Sequence, residues 1–195
     1  MTMTRRSSRQ PLISCQDNPN CDEINGNPIY YADYWDSENQ ATNDSYRPVY
    51  YAGDTTYTPD GQPIVNPGPA ELSVFQNEAN RLQSHSLGRC RDLGQTIGMN
   101  IGAIRMFGKA FWSTHPITGR SGTVAAFSTI PNNGTPWYTA ISRRVPDGTT
   151  PEGRSRSNDE LNRSLRHEFF HKMGEYDWRM SPGAYTAEEW ADACA

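Results

Sequence analysis

Residues 167–171 read His-Glu-Phe-Phe-His, a spacing that can hold a metal ion when it lies on a helix. Positions i and i+4 share one helix face, so the imidazoles of His167 and His171 can meet the same ion. Glu168 lies about 100° around the helix axis from His167, where it can act on a metal-bound water without being a ligand. Zinc binds neutral histidine well and keeps a position open for water at catalytic sites. The motif therefore predicts a hydrolytic zinc centre with Glu168 as general base.

A catalytic zinc centre needs a third protein ligand, and Asp177 is one candidate. From His167 the chain reads H-E-x-x-H-x-x-G-x-x-D, with Gly174 and Asp177 at the last two defined positions. Gly174 lets the chain leave the helix through a backbone conformation that is costly for other residues. Asp177 can then return toward the metal ion, which gives the predicted ligand set His167, His171 and Asp177.

This stretch resembles the metzincin signature, in the variant with Asp in place of the third His, as in snapalysin-like bacterial proteases. The resemblance covers about residues 157–195 and implies a zincin-like metalloendopeptidase fold and activity. Metzincins also have a methionine turn and then a C-terminal helix after the third ligand, and Met180 and Thr186–Cys194 follow in that order. Met180 follows Asp177 more closely than is usual for that family.

Glu188 is an alternative third ligand. Residues 188–192 read Glu-Glu-Trp-Ala-Asp, which resembles the downstream helix of gluzincins. In that family the Glu binds zinc, and the Asp, here Asp192, steadies a ligand His from outside the coordination sphere. The same stretch is also typical of an ordinary capped helix, whose dipole favours Glu in the first turn. The residues alone leave Asp177 and Glu188 both open.

Helix signals surround the motif. Ser157 and Glu160 match a capping box, which predicts a helix that starts there and runs to Met173, with Gly174 as its stop. Thr186 and Glu189 form a second capping box and predict a short last helix. The motif would therefore lie on one helix, with a second helix close behind it along the chain.

The remaining elements must form the framework for this helix. Apolar residues recur at helical spacing from Pro69 to about Leu87, with Gly88 as the expected stop. Strand patterns cover residues 29–34, 47–52, 123–130 and 137–145, and an Asn-Gly turn lies between the last two. Residues 97–111 fit a helix or a strand. We expect an α+β, zincin-like single domain with a small mixed sheet packed on the active-site helix.

The composition excludes some functions. The chain has 195 residues, which suits one domain, and a net charge of −4, which argues against nucleic acid as the main partner. No apolar run approaches the roughly 18 residues that span a bilayer. Residues 1–14 are interpreted as a flexible tail, because no apolar stretch follows Arg5 and Arg6 to make a signal peptide.

Residues 15–70 form a loop-rich segment with nine acidic residues and one basic residue, Arg47. This segment belongs either to the metallopeptidase domain, taken as residues 15–195, or to a pro-segment.

The four cysteines favour two disulfides and an extracellular or periplasmic location. We expect Cys15 to pair with Cys21, and Cys90 with Cys194, although four cysteines allow three pairings. Four reduced thiols in a cytoplasmic protein are the alternative.

The prediction is therefore a zinc-dependent endopeptidase that acts on peptide or protein substrates, with Zn²⁺ as its cofactor. The alternative is a non-catalytic binding module that zinc or disulfides stabilise.

Overall fold

The computed structural model describes residues 57–114, 121–129, 138–175 and 183–195, together with the strand backbone of residues 29–36, 41–43 and 49–51. The helices are α1 (Pro69–Gln83), α2 (Gly88–Met99), α3 (Asn158–Lys172) and α4 (Ala187–Ala193), and a short 3₁₀ turn covers Ile101–Ala103. The strands are β1 (Ile29–Asp36), β2 (Ala41–Asn43), β3 (Val49–Tyr51), β4 (Ile104–Lys109), β5 (Phe111–Thr114), β6 (Ser121–Thr129), β7 (Thr139–Val145) and β8 (Arg154–Ser155). These elements confirm the predicted α+β class with a mixed sheet.

The strands form one sheet in the order β2-β1-β6-β7-β4. Strand β6 is antiparallel to both of its neighbours, β1 and β7, whereas β4 runs parallel to β7. Strand β5 pairs with the first part of β6, and β8 pairs with the end of β7. The acidic N-terminal stretch, expected to be loop-rich, thus contributes the backbone of β1 to this sheet beside β6.

The sheet separates two clusters of buried side chains, because successive residues of a strand point to opposite faces. Met106 and Ile141 belong to the larger cluster, which they share with all four helices. Their chain neighbours Phe107 and Ala140 belong to the second cluster. The helices therefore cover one face of the sheet, and the motif helix α3 packs against β6 and β7 from that side.

Helix α3 begins as predicted. The Ser157 hydroxyl accepts a hydrogen bond from the Glu160 amide, and the Glu160 side chain accepts one from the Ser157 amide, so the capping box is formed. The helix ends at Lys172, and Gly174 has a φ of 89°, which glycine adopts without a steric penalty. The second capping box, at Thr186 and Glu189, is formed as well and starts α4.

The prediction for the first helix was wrong at its end. Helix α1 stops at Gln83, and Gly88 is the first residue of α2 rather than a helix stop. The Arg91 side chain donates hydrogen bonds to the carbonyls of His85 and Ser86, so α2 itself stabilises the turn between the two helices. Residues 97–111, left undecided by the sequence, contain the end of α2, the 3₁₀ turn, β4 and the start of β5.

A disulfide joins Cys90 in α2 to Cys194 at the end of α4, which confirms the predicted pairing of these two residues. Both half-cystines are buried in the larger cluster. Cys15, Cys21, the expected tail 1–14 and the Asn-Gly turn lie outside the described residues. Among the helices that the structure describes, none is long and apolar enough to cross a membrane.

Candidate metal centre

The two histidines of the motif converge on one point. Helix α3 places His167 and His171 one turn apart, and their Nε2 atoms are 2.9 Å from each other. The rings meet edge to face, with centroids 4.6 Å apart and planes at 77°. His167 is fully buried and His171 is partly exposed, so the point where they meet lies at the boundary between core and surface.

An oxygen acceptor lies against the other nitrogen of each ring. His167 Nδ1 is 2.9 Å from Glu188 Oε2, and His171 Nδ1 is 3.1 Å from the carbonyl oxygen of Glu175. Each acceptor favours the tautomer with its proton on Nδ1, which leaves Nε2 with a lone pair. An acceptor on Nδ1 is the usual arrangement for an imidazole that binds a metal ion through Nε2.

This donor pair fits a zinc ion. Two nitrogen lone pairs at 2.9 Å repel each other, and a shared cation or proton relieves the repulsion. Two nitrogen ligands of a tetrahedral zinc lie about 3.3 Å apart, given zinc–nitrogen bonds of about 2.0–2.1 Å. The observed separation is close to this, and slight opening of the rings would reach it. In the part of the chain that the structure describes, no group of three or more His, Cys, Asp or Glu side chains is arranged around a metal position.

The predicted third ligands have different positions. Asp177 falls within residues 176–182, outside the described part of the chain. Glu188 lies on the Nδ1 side of His167, away from the nitrogen that faces His171. Asp192, the second acidic residue of the gluzincin-like stretch, forms an ion pair with Arg163, at 2.9 Å between Arg163 Nε and Asp192 Oδ1. Arg163 also forms an ion pair with Glu188.

Glu168 lies on α3 between the two histidines in sequence, and its side chain is fully buried. A buried carboxylate beside a metal position interacts with charge more strongly than one in water, because the local dielectric is lower. Helix α3 therefore carries both predicted imidazole ligands and the predicted base, and His167 and Glu168 are both fully buried.

Several contacts hold the chain just after α3, where the Glu175 carbonyl meets the ring of His171. The amide of Glu175 donates to the Phe170 carbonyl at 2.9 Å and that of Gly174 to the His171 carbonyl at 3.0 Å, a Schellman-type ending. Arg89 of α2 forms an ion pair with the Glu175 side chain and reaches the Met173 carbonyl. These contacts hold the Glu175 carbonyl oxygen against the ring of His171.

Sequence reasoning missed two groups that orient the histidines: the Arg163 guanidinium and the Glu175 carbonyl. Arg163 lies four residues before His167 and so shares its helix face, a signal that could have been used. The position of the Glu175 carbonyl could have been inferred from the helix stop at Gly174. A Schellman ending turns the peptide after the glycine back toward the last helical turn.

Comparison with protein-family models, with curated proteins and with solved structures finds no match to this chain.

Proposed function

We propose that the protein is a zinc-dependent endopeptidase. The observation that carries the proposal is the convergence of two imidazole Nε2 atoms at 2.9 Å, with an oxygen acceptor on each Nδ1. Oxygen acceptors outside the coordination sphere are the usual partners of histidines that bind metal. The position of Glu168 directly after the first of these histidines favours hydrolysis over a purely structural zinc site.

In this proposal His167 and His171 hold Zn²⁺ together with Asp177. A bound zinc ion would lower the pKa of a water molecule and polarise the scissile carbonyl. Glu168 accepts the proton of the attacking water and later delivers a proton to the leaving amine nitrogen. Glu188 and the Glu175 carbonyl accept at Nδ1 of His167 and His171, which orients both rings with Nε2 toward the ion.

Asp177 is preferred to Glu188 as the third ligand on two grounds. Both carboxylate oxygens of Glu188 already have partners, since Oε2 meets His167 Nδ1 and Oε1 meets Arg163. Asp177 completes the H-E-x-x-H-x-x-G-x-x-D spacing, and Gly174, three residues before it, has the positive φ of 89° that this motif requires where the chain leaves the helix.

The proposed location is extracellular or periplasmic. The Cys90–Cys194 disulfide supports it, because disulfides form and persist in oxidising compartments. The proposed substrates are peptides or proteins.

The proposal is tested by zinc content per chain and by hydrolysis of an unfolded protein substrate. We expect about one zinc per chain, and activity that a chelator removes and added zinc restores. Glu168→Gln should keep the zinc and lose about 10²–10⁴-fold in turnover, the usual contribution of a general base. Asp177→Ala should lose the zinc, whereas Asp159→Asn, an exposed change on the same helix, should behave as wild type.

Two results would contradict the proposal. Absence of stoichiometric zinc, even after zinc is offered to the purified protein, would leave a disulfide-stabilised binding domain as the better interpretation. Zinc without hydrolysis, together with unfolding on chelation, would indicate a zinc-stabilised module without catalysis.

A further inference from the structure

We infer that Glu188 is a positioning residue, which with Arg163 fixes the ring of His167 and so strengthens its binding of the metal ion. This inference rests on the proposed function, because it concerns the same metal centre. It replaces the alternative in which Glu188 is itself a zinc ligand.

Glu188 contacts the ring of His167 on its Nδ1 side. Its Oε2 is 2.9 Å from Nδ1 of His167, while Nε2 of the same ring is 2.9 Å from His171. The lone-pair directions of the two ring nitrogens diverge, so an ion that both Nε2 atoms share lies on the far side of the ring from this carboxylate. Glu188 can therefore orient His167, but it cannot join the same coordination sphere from this position.

Glu188 is itself held in place by an ion pair. Its other oxygen forms an ion pair with Arg163, which lies on the same helix as His167. Arg163 is fixed in turn by Asp192, one turn further along α4. The carboxylate of Glu188 thus lies between a guanidinium and an imidazole, with each oxygen on a different partner.

Helix α4, which carries Glu188, is bound to the rest of the domain by hydrogen bonds and a disulfide. Arg166 donates to the Ala191 carbonyl at 2.8 Å, and Arg81 donates to the Cys194 carbonyl at 2.5 Å. The disulfide from Cys194 to Cys90 adds a covalent link to α2. Helix α4 is therefore linked to α1, α2 and α3, and it presents the Glu188 carboxylate to His167.

A carboxylate on Nδ1 raises the basicity of the imidazole as a ligand and fixes its orientation, and loss of such a partner typically weakens metal binding about 10–100-fold. Arg163 should have a smaller effect, because it acts only by holding Glu188. These expectations concern binding and can be measured without any assay of catalysis.

The experiment compares the Zn²⁺ affinity of the full chain and its variants by competition with a chromophoric chelator, and records the visible spectrum of the Co²⁺-loaded proteins. We expect Glu188→Ala to bind zinc about 10–100-fold more weakly, with one metal per chain and an unchanged cobalt spectrum. Glu188→Gln should lose less, because its amide oxygen still accepts from Nδ1. Glu189→Gln is the matched control on the same helix, because it removes a neighbouring carboxylate while Gln still completes the capping box, and its affinity should lie within about threefold of wild type.

Two outcomes overturn the inference while the proposed function stands. Wild-type affinity in both Glu188 variants would mean that the contact does not position His167. A changed cobalt spectrum in Glu188→Gln, or loss of stoichiometric metal, would make Glu188 a ligand. The isosteric Gln variant keeps the test valid if the Ala variant fails to fold. Failure of the wild type to bind either metal would instead refute the proposed function, and this inference with it.

Discussion

The guanidinium of Arg166 lies 2.5 Å from the carboxylate of Glu78, and both residues are buried between helices α1 and α3. Glu78 also accepts two hydrogen bonds of 2.8 Å from Arg81. Arg166 directly precedes His167 and also donates a hydrogen bond to the Ala191 carbonyl in α4. Glu78 and Arg166 together thus link α3, the helix of the candidate metal centre, to α1 and α4.

Glu78→Gln should lower the free energy of unfolding by about 3–5 kcal/mol, because it leaves the buried Arg166 charge without its counter-charge. The control is Arg81→Gln. The Arg81 side chain is 42% exposed, so this change should cost only about 1 kcal/mol. Urea unfolding followed by circular dichroism measures both variants. If both variants lose the same free energy of unfolding, burial of the Glu78–Arg166 ion pair does not determine how much the pair stabilises the protein.

Acid should destabilise the protein in part through Glu160. Burial raises the pKa of Glu160, but hydrogen bonds from Arg154 and Ser157 outweigh it and hold this pKa at about 2, against an ordinary 4.5. A carboxyl whose pKa is depressed by folding stabilises the protein above its unfolded pKa and loses this effect as pH falls through the folded value. We therefore expect stability to fall between pH 4.5 and about 2.

Glu160→Gln tests this dependence, because Gln still completes the capping box but carries no charge. The fall in unfolding free energy over that pH range should be shallower than in the wild type. Glu152→Gln, a change at a side chain that is 70% exposed, should leave the slope unaltered. If the unfolding free energy of Glu160→Gln falls with pH as steeply as that of wild type, Glu160 is not a source of the acid destabilisation.

Two glycines of α2 should respond in opposite directions to the same substitution. A Cβ at Gly94 would lie 2.7 Å from the carbonyl oxygen of Ala79 and from the amide nitrogen of Gln83, where α1 crosses α2. Gly94→Ala should therefore lower the free energy of unfolding by about 1–3 kcal/mol, because the added methyl group overpacks the contact between the helices. At exposed Gly98 the nearest atom would be 3.5 Å away, so Gly98→Ala should stabilise the helix by about 0.5–1 kcal/mol. Thermal unfolding distinguishes them, and a neutral Gly94→Ala would refute the close crossing.

Removal of the Cys90–Cys194 disulfide should lower the free energy of unfolding by about 2–5 kcal/mol. The two cysteines are 104 residues apart in sequence, so the bond restricts a long loop of the unfolded chain. The double variant Cys90→Ser/Cys194→Ser should match the reduced wild type in urea unfolding and should not respond further to a reductant at this bond. If reduction leaves the wild-type midpoint unchanged, the bond is absent or contributes nothing.

The helix caps and helix ends around α3 and α4 were predictable because a few neighbouring residues determine each of them. The capping boxes at Ser157 and Thr186 and the left-handed Gly174 each depend on contacts within one helical turn. The end of α1 was mispredicted for a related reason. A glycine suits both a helix stop and a helix start, and the contacts that Arg91 of α2 makes with the preceding turn are not visible in the spacing of the residues.

The sequence by itself therefore determined the helix that carries His167, Glu168 and His171, since spacing and capping act over less than two turns. Only the tertiary structure decided which side of His167 the Glu188 carboxylate meets, because α4 comes twenty residues later and docks through buried contacts with other helices. Spacing along a chain does not encode which ring nitrogen a distant carboxylate approaches. That choice depends on the relative placement of two helices, which packing of the whole core sets.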